Sequence, residues 1–431
     1  MPRFFNTAGP VNEKDHYCLS PLTRLKLDEV LPLIEQKKYF VLHAPRQTGK
    51  TSCLLALMEY LNTQGHYRCV YINVEAAQAA REDVAGAMRA ILSELGSRTR
   101  MYLKDDFVET LWPNILMNSG PHGALNEMLT QWATHDPRPL VVLIDEIDAL
   151  VGDTLIAVLR QLRGGYDKRP SYFPQSVILC GVRDVRDYRI HSSAEKAIIL
   201  GGSAFNVKAE SLRLGNFSRA EMDTLYQQHT EETGQVFTTE ALGRLWELTQ
   251  GQPWLVNALG YEMCFEDAAG RERSEPITLE IVNLAKENLI LRRETHLDQL
   301  TDKLKEPRVH NVIGPLIQGT ELPNNIAQDD IQYVVDLGLI RRGKQGLEVA
   351  NAPYREVLPR ELTWVAQLSL ESTQVSAWYL QRANAVLTAA ARCSSVFRWS
   401  SITSCRLPSE ALQRLRISAL RSWFAQIKGR F

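Results

Sequence analysis

Lys50 and Thr51 close the stretch Tyr39-Phe-Val-Leu-His-Ala-Pro-Arg-Gln-Thr-Gly-Lys-Thr51, an apolar run leading into A-x-x-x-x-G-K-T. That spacing suits a loop wrapped around the phosphates of a nucleoside triphosphate. Backbone N–H groups from Arg46 to Thr51 can converge on phosphate oxygens at the start of a helix, where the macrodipole favours negative charge. Lys50 then reaches the β- and γ-phosphates, and the Thr51 hydroxyl takes a position on Mg²⁺. The cradle comprises Ala44, Pro45, Arg46, Gln47, Thr48, Gly49, Lys50, Thr51 and Ser52. Such a loose pattern arises by chance in a chain of this length on the order of a few per cent of the time. Its context sharpens it, because a β-rich run (Tyr39 to His43) enters it and a helical pattern (Leu54, Leu55, Leu57, Met58, Leu61) leaves it. Ala44 stands where such loops usually have their first Gly, and Ala serves there if its φ stays negative.

A second constellation lies about a hundred residues on, in Pro139-Leu-Val-Val-Leu-Ile-Asp-Glu-Ile-Asp148. Apolar residues running into carboxylates describe a strand buried on both faces, with acids at its C-terminal edge, where open α/β sheets bind ligands. Asp145 fits as the carboxylate that holds Mg²⁺ through water. Glu146 fits as the base that polarises the attacking water, with Asp148 next in line. A chain carrying both acids beside the Lys50 loop is built to hydrolyse ATP as well as to bind it.

The elements around these motifs read as a doubly wound sheet. Further strands fall at Cys69 to Val74, Val177 to Gly181 and Glu210 to Leu214, with helical patterns at Arg81 to Leu95 and Leu155 to Leu162. Beyond Asn216 the strands stop. Two helices are expected over Phe217 to Leu248, the second capped by Thr238 or Thr239, and then comes Gly251-Gln-Pro253, with Gly251 closing one helix and Pro253 opening the next. Taken together, Ala44 to Thr51, Leu140 to Glu146, Arg183 and Gly251-Gln-Pro253 resemble a P-loop ATPase of the AAA+ or STAND type, archaeal ATPases included, over roughly residues 1 to 365.

The resemblance implies that the strand after the acidic one lies between the two nucleotide-binding strands and carries a polar sensor. Arg183 is then the sensor of the γ-phosphate, or else a surface Arg paired with Asp184 or Asp187. It further implies that Pro253 touches the nucleotide, and that a helical lid and a winged helix follow the core. Helical patterns at Leu297 to Leu304, Val309 to Ile317 and Asn325 to Leu337 leave room for the winged helix, with a β-wing turning at Gly343 to Gly346. The third helix carries Asp329, Asp330 and Asp336 and no Lys or Arg. Only Arg341, Arg342 and Lys344 on the wing are basic, which favours a protein-facing regulatory clamp over a DNA reader.

The expected organisation is an N-terminal arm (1–38), an α/β P-loop core with a parallel sheet (39–216), a helical lid (217–295), a winged helix (296–365) and a basic tail (366–431). In the arm, aromatic residues and a Pro-containing turn suit either stacking on adenine or docking onto the core. From Arg382 onward nine Lys and Arg face one Glu, so the segment carries about +8 and the remainder about −9. Leu412, Leu415, Leu420, Trp423, Phe424 and Ile427 fall on one helical face there, as in a basic amphipathic helix that lies on a membrane surface or acidic partner, or packs on the core. A truncated or frame-shifted end is the remaining reading. Net charge −1 and 45% apolar residues are ordinary for a globular protein. Without a signal-like N-terminus or an apolar run of eighteen residues, a cytoplasmic location is expected, and membrane partners are not. Seven cysteines without C-x-x-C spacing read as reduced core residues. Expected partners are ATP and ADP, a homo-oligomer, a protein partner and, as the alternative, DNA.

Overall fold

The computed structural model describes residues 2–184, 189–192, 197–292, 303–320, 322–323, 326–343 and 346–358. Asp187, Lys344, most of the expected helix Leu297 to Leu304, and the whole basic tail lie outside the described residues. Everything described belongs to one compact unit, Met1–Trp364.

Two short strands, β1 (Phe4–Phe5) and β2 (His16–Tyr17), pair in parallel at the N-terminus. After α1 (Pro21–Leu25) and α2 (Leu27–Glu35) comes β3 (Tyr39–His43), followed by α3 (Lys50–Gln64) and β4 (Arg68–Asn73). Next are α4 (Val84–Leu103), α5 (Phe107–Ser119), α6 (Ala124–His135), β5 (Leu140–Asp145), α7 (Gly152–Gly164) and β6 (Ser176–Gly181). The hairpin of β7 (Arg189–Ser192) and β8 (Ala197–Leu200) precedes α8 (Gly201–Ala204) and β9 (Lys208–Arg213).

Strands β3, β4, β5, β6 and β9 form a parallel sheet in the order β4-β5-β6-β3-β9. The strand after the acidic one thus lies between β5 and β3, as expected. Register brings Asn73 opposite Asp145, Gly181 opposite His43, and His43 opposite Arg213, so the strands' carboxyl ends form one edge. Alternation decides which face each side chain enters. Phe40 and Leu42 pack with α1, α2 and α3, whereas Tyr39 and Val41 enter the larger core with α4, α5, α6 and α7, where Trp132 is fully buried. Helices α5 and α6 fill a stretch that the periodicity analysis left unassigned. Helix α4 starts at its Asp83 cap, whose carboxylate accepts from Ala85 N and Gly86 N, and runs beyond the expected Leu95.

After β9 the described residues form helices and one hairpin. Helix α9 (Arg219–Thr233) opens with a Ser218–Glu221 capping box, and α10 (Thr239–Thr249) opens with Thr238 accepting from Ala241 N. Then come α11 (Pro253–Tyr261), α12 (Leu279–Leu291), α13 (Pro307–Gln318), α14 (Gln328–Asp336) and the antiparallel pair β10 (Ile340–Gly343) and β11 (Gly346–Val349). One apolar cluster runs through all of these helices and includes Phe5 and Tyr17 of the arm. The Phe5 ring lies 5.4 Å from that of Tyr226, and the Tyr17 hydroxyl is 3.2 Å from His229 Nδ1. Phe5 and Tyr17 therefore dock onto these helices. Among the described residues no helix is long and apolar enough to cross a membrane. Cys53, Cys69, Cys180 and Cys264 are buried free thiols, and Cys18 is a half-buried one.

Between α10 and α11 the chain turns through Gln250 and Gly251, both left-handed. Phe217 N donates to Gly251 O at 2.8 Å, and a Cβ on Gly251 would lie 1.9 Å from Phe217 O. Only glycine fits. Gly251→Ala is expected to destabilise the protein by about 2 kcal/mol or more, measured as a lowered denaturant midpoint, and an unchanged midpoint would refute this account of the turn.

Candidate functional site

At the sheet's carboxyl edge β3 passes into the loop 44–49. Ala44 N donates to Gly181 O at 3.2 Å, and Ala44 stays out of the left-handed region, so the missing first glycine costs nothing there. The left-handed turns fall instead at Gln47 (φ 56°) and Gly49 (φ 90°), and Gly49 is the residue from which α3 begins. Thr48 Oγ1 donates to Pro45 O at 2.8 Å, which tightens the loop. Lys50 is buried, and its Nζ donates to Ala44 O and Pro45 O, each at 3.0 Å. Arg46 and Gln47 are exposed.

The two motifs meet at Asp145, which is fully buried. Its Oδ2 accepts from Thr51 Oγ1 at 2.7 Å and from the Tyr71 hydroxyl at 3.0 Å, and its Oδ1 accepts from Glu146 N at 2.9 Å. Tyr71 sits on β4, two residues from the edge. Burial and the neighbouring Asp145 push its phenol far up, so it remains a donor. Sequence reading missed Tyr71, since nothing local marks one core tyrosine among others.

Glu146 is half-buried and left-handed (φ 56°), a strained conformation for a non-glycine residue. Burial raises its pKa and Asp148 raises it further, while Lys50 and Arg46 oppose the rise. Asp148 is otherwise engaged, because its Oδ1 accepts from Val182 N at 3.0 Å and so pins the end of β6. His43 Nδ1 is buried at this edge without a hydrogen-bond partner, and burial lowers its pKa to about 4, which keeps the ring neutral.

Other expected residues are placed as follows. Ser52 Oγ accepts from Val11 N at 3.1 Å, so its side chain anchors the arm. Arg183 follows β6, with its guanidinium 4.9 Å from the centre of the Tyr333 ring on α14, while Asp184 pairs with Lys208 at 2.6 Å. Pro253 is buried at the first turn of α11. It does not line the cleft beside Gly49, whereas Asn257, one turn further along, does. Arg24 was also missed. It donates to Thr48 O at 2.8 Å and Gly215 O at 3.1 Å, and lies over the Phe217 ring. The C-terminal elements touch the loop too, since a Cβ on Gly338 would come within 2.8 Å of Pro45 Cγ.

A buried ammonium on a tight loop at the start of a helix suits polyphosphate, and a paired hydroxyl and carboxylate suit a hard cation that takes oxygen ligands. Among the described residues no group of three His, Cys, Asp or Glu could hold a metal by itself. A cation at Thr51 and Asp145 therefore requires oxygens from phosphate and water as well.

Residues 34–188 match the AAA domain family. No curated protein matches the sequence. Among solved structures, a Walker-type ATPase of Pyrococcus abyssi superposes with a TM-score of 0.55 at 16% identity, over 82% of this chain and 99% of that one. The ORC2 protein of Aeropyrum pernix, in ADPNP–ADP complexes, gives 0.49 at 14% identity, over 84% and 96%. Cdc6p of Pyrobaculum aerophilum gives 0.40 at 14%, over 84% and 97%. Residues 34–188, which hold the Lys50 loop and the Asp145 strand, are thus an AAA domain on a Walker-type ATPase fold.

Proposed function

We propose that this chain is a Mg²⁺-dependent ATPase that works as a nucleotide-driven regulatory switch, with a core (39–216), a lid (217–295) and a winged helix (296–365) that reads the core's state. The observation that carries the proposal is that the phosphate loop and the sensor candidate both abut the C-terminal elements: Pro45 lies against Gly338, and Arg183 lies against Tyr333. A change in what Lys50 and Arg183 hold is then felt at α14. The same junction is braced by Arg213 donating to Val335 O at 3.2 Å and by Arg341 donating to Gln250 Oε1 at 2.6 Å.

The roles follow from the contacts. Amides of the loop from Arg46 to Ser52 bind phosphate oxygens, and Lys50 exchanges two backbone carbonyls for the β/γ oxygens. Thr51 and Asp145 would hold Mg²⁺, which would offset charge on the phosphates. Glu146 accepts a proton from the attacking water at a carboxylate oxygen, its raised pKa suiting it to that task. Arg183 answers to the γ-phosphate, and Pro253, in the STAND reading, relays nucleotide state to the helices from Gly251 onward. In this reading the protein works in the cytoplasm, with itself or another protein as partner.

The second reading, an ATPase that loads or remodels DNA, draws on the winged helix alone. Its electrostatics oppose it. Asp329 is exposed on α14, and Arg341 is already paired with Glu348 at 2.8 Å. Asp336, by contrast, is buried and accepts from Gln332, so it adds nothing to that surface. Mass measurement with a non-hydrolysable ATP analogue, with and without duplex DNA, separates the two: ATP-dependent assembly without DNA is expected, and salt-sensitive DNA binding would reverse the assignment.

Lys50→Ala is expected to abolish ATP binding or weaken it severely, and calorimetry matching wild type would move the site elsewhere. Glu146→Gln should keep nucleotide binding and lower turnover by about 10²- to 10⁴-fold; an unchanged kcat removes Glu146 from the role of base.

The pH dependence has a definite sign. A base must be ionised, so turnover rises with pH through the Glu146 pKa, and the acid limb of the kcat profile should lie above the ordinary 4.5. Asp148→Asn removes one of the charges that raise it while an amide oxygen still accepts from Val182 N, so the limb should move to lower pH. A limb that stays put in the variant would separate it from Glu146.

A further inference from the structure

Beside the loop, on the side of Gly49 and Ser52, lies a narrow cleft walled by Val11 and Tyr17 of the arm, by Phe217, by Leu225 of α9 and by Asn257 of α11. Its walls are largely apolar and aromatic, which suits the flat face of a base, and it adjoins the end of the phosphate loop. Asn257 is a polar group in it whose bonding is incomplete. Its Nδ2 donates to Pro253 O at 2.9 Å, which sets the amide's orientation and leaves Oδ1 as the remaining acceptor. That oxygen is buried and has no hydrogen-bond partner. A buried acceptor left unmade is costly, and native proteins retain such a group where a ligand completes it.

Resting on the ATPase reading above, we infer that Asn257 is the residue that selects the base, accepting a hydrogen bond from the 6-amino group of adenine and rejecting purines with a 6-oxo group. Adenine presents an N–H donor at that position; guanine and hypoxanthine present a carbonyl oxygen, which would face Oδ1 acceptor to acceptor. The free space in the cleft is about 40 Å³, so the base enters as the arm parts from α3, where Val11 N is held by Ser52 Oγ at 3.1 Å. Base recognition and arm position are thereby linked. Asn257 lies one turn after Pro253, so a bound base also grips the helix that the Gly251 turn aims.

The test compares ATP with ITP, which differ in the 6-substituent and the accompanying N1 proton, by calorimetry on the full chain with Mg²⁺. Wild type should bind ATP about 10- to 100-fold more tightly than ITP, the range expected for making or losing one buried hydrogen bond. Asn257→Leu and Asn257→Ala should weaken ATP and, by removing the acceptor-to-acceptor contact, tighten ITP, until the ratio approaches one, with thermal unfolding reporting on the fold. A wild-type ratio near one, or a ratio unchanged in a folded variant, overturns the assignment of Asn257 and leaves the ATPase reading standing. Failure of wild type to bind either nucleotide overturns the ATPase reading itself.

Discussion

The buried Asp145 carboxylate is the point on which the catalytic edge depends. It receives donors from three parts of the chain: Thr51 at the start of α3, Tyr71 on β4 and the backbone of Glu146. Strands β3 and β5 are not neighbours, because β6 lies between them. The Thr51–Asp145 bond therefore reaches across a strand to fix the phosphate loop against the acidic strand. A carboxylate this deep is tolerable only when its oxygens are occupied, and the three donors supply that occupancy. Burial and this carboxylate together keep the Tyr71 proton in place.

What could be read from the sequence was local. Strands β3 and β5 show as short apolar runs, the loop shows as a fixed spacing of Gly49, Lys50 and Thr51, and the caps at Thr238 and Pro253 follow from residue chemistry. The position of β6 between them came with the family resemblance. The rest was hidden because it is tertiary. Tyr71, Arg24 and Asn257 are far apart in sequence, and each looks like an ordinary residue of its own strand or helix until the fold brings it to the loop. Helices α5 and α6 escaped the periodicity analysis, and α5 has Pro113 inside it. The arm offered two uses for its aromatics; Phe5 and Tyr17 are buried against Tyr226, His229 and Phe237, and Tyr17 also lines the cleft beside Gly49.

Charge in the C-terminal elements also looks different once partners are counted. Asp336 drops out of the acidic surface of α14 by burial, and Arg341 is tied to Glu348 and Gln250. Tyr333 sits between two guanidinium groups, Arg183 from the core and Arg308 from α13, and its hydroxyl donates to Glu306 Oε2 at 3.0 Å. These contacts join the end of β6 to α13 and α14.

Lys50 rests on the carbonyls of Ala44 and Pro45. The loop is therefore self-satisfied before any ligand arrives, with its cation solvated by its own backbone. Phosphate capture becomes a substitution at the ammonium in place of a simple addition, and the net gain is the difference between two oxygen environments. The peptide carbonyls act as a resident competitor at fixed effective concentration. They favour ligands with enough charge to displace them over singly charged anions of the same shape.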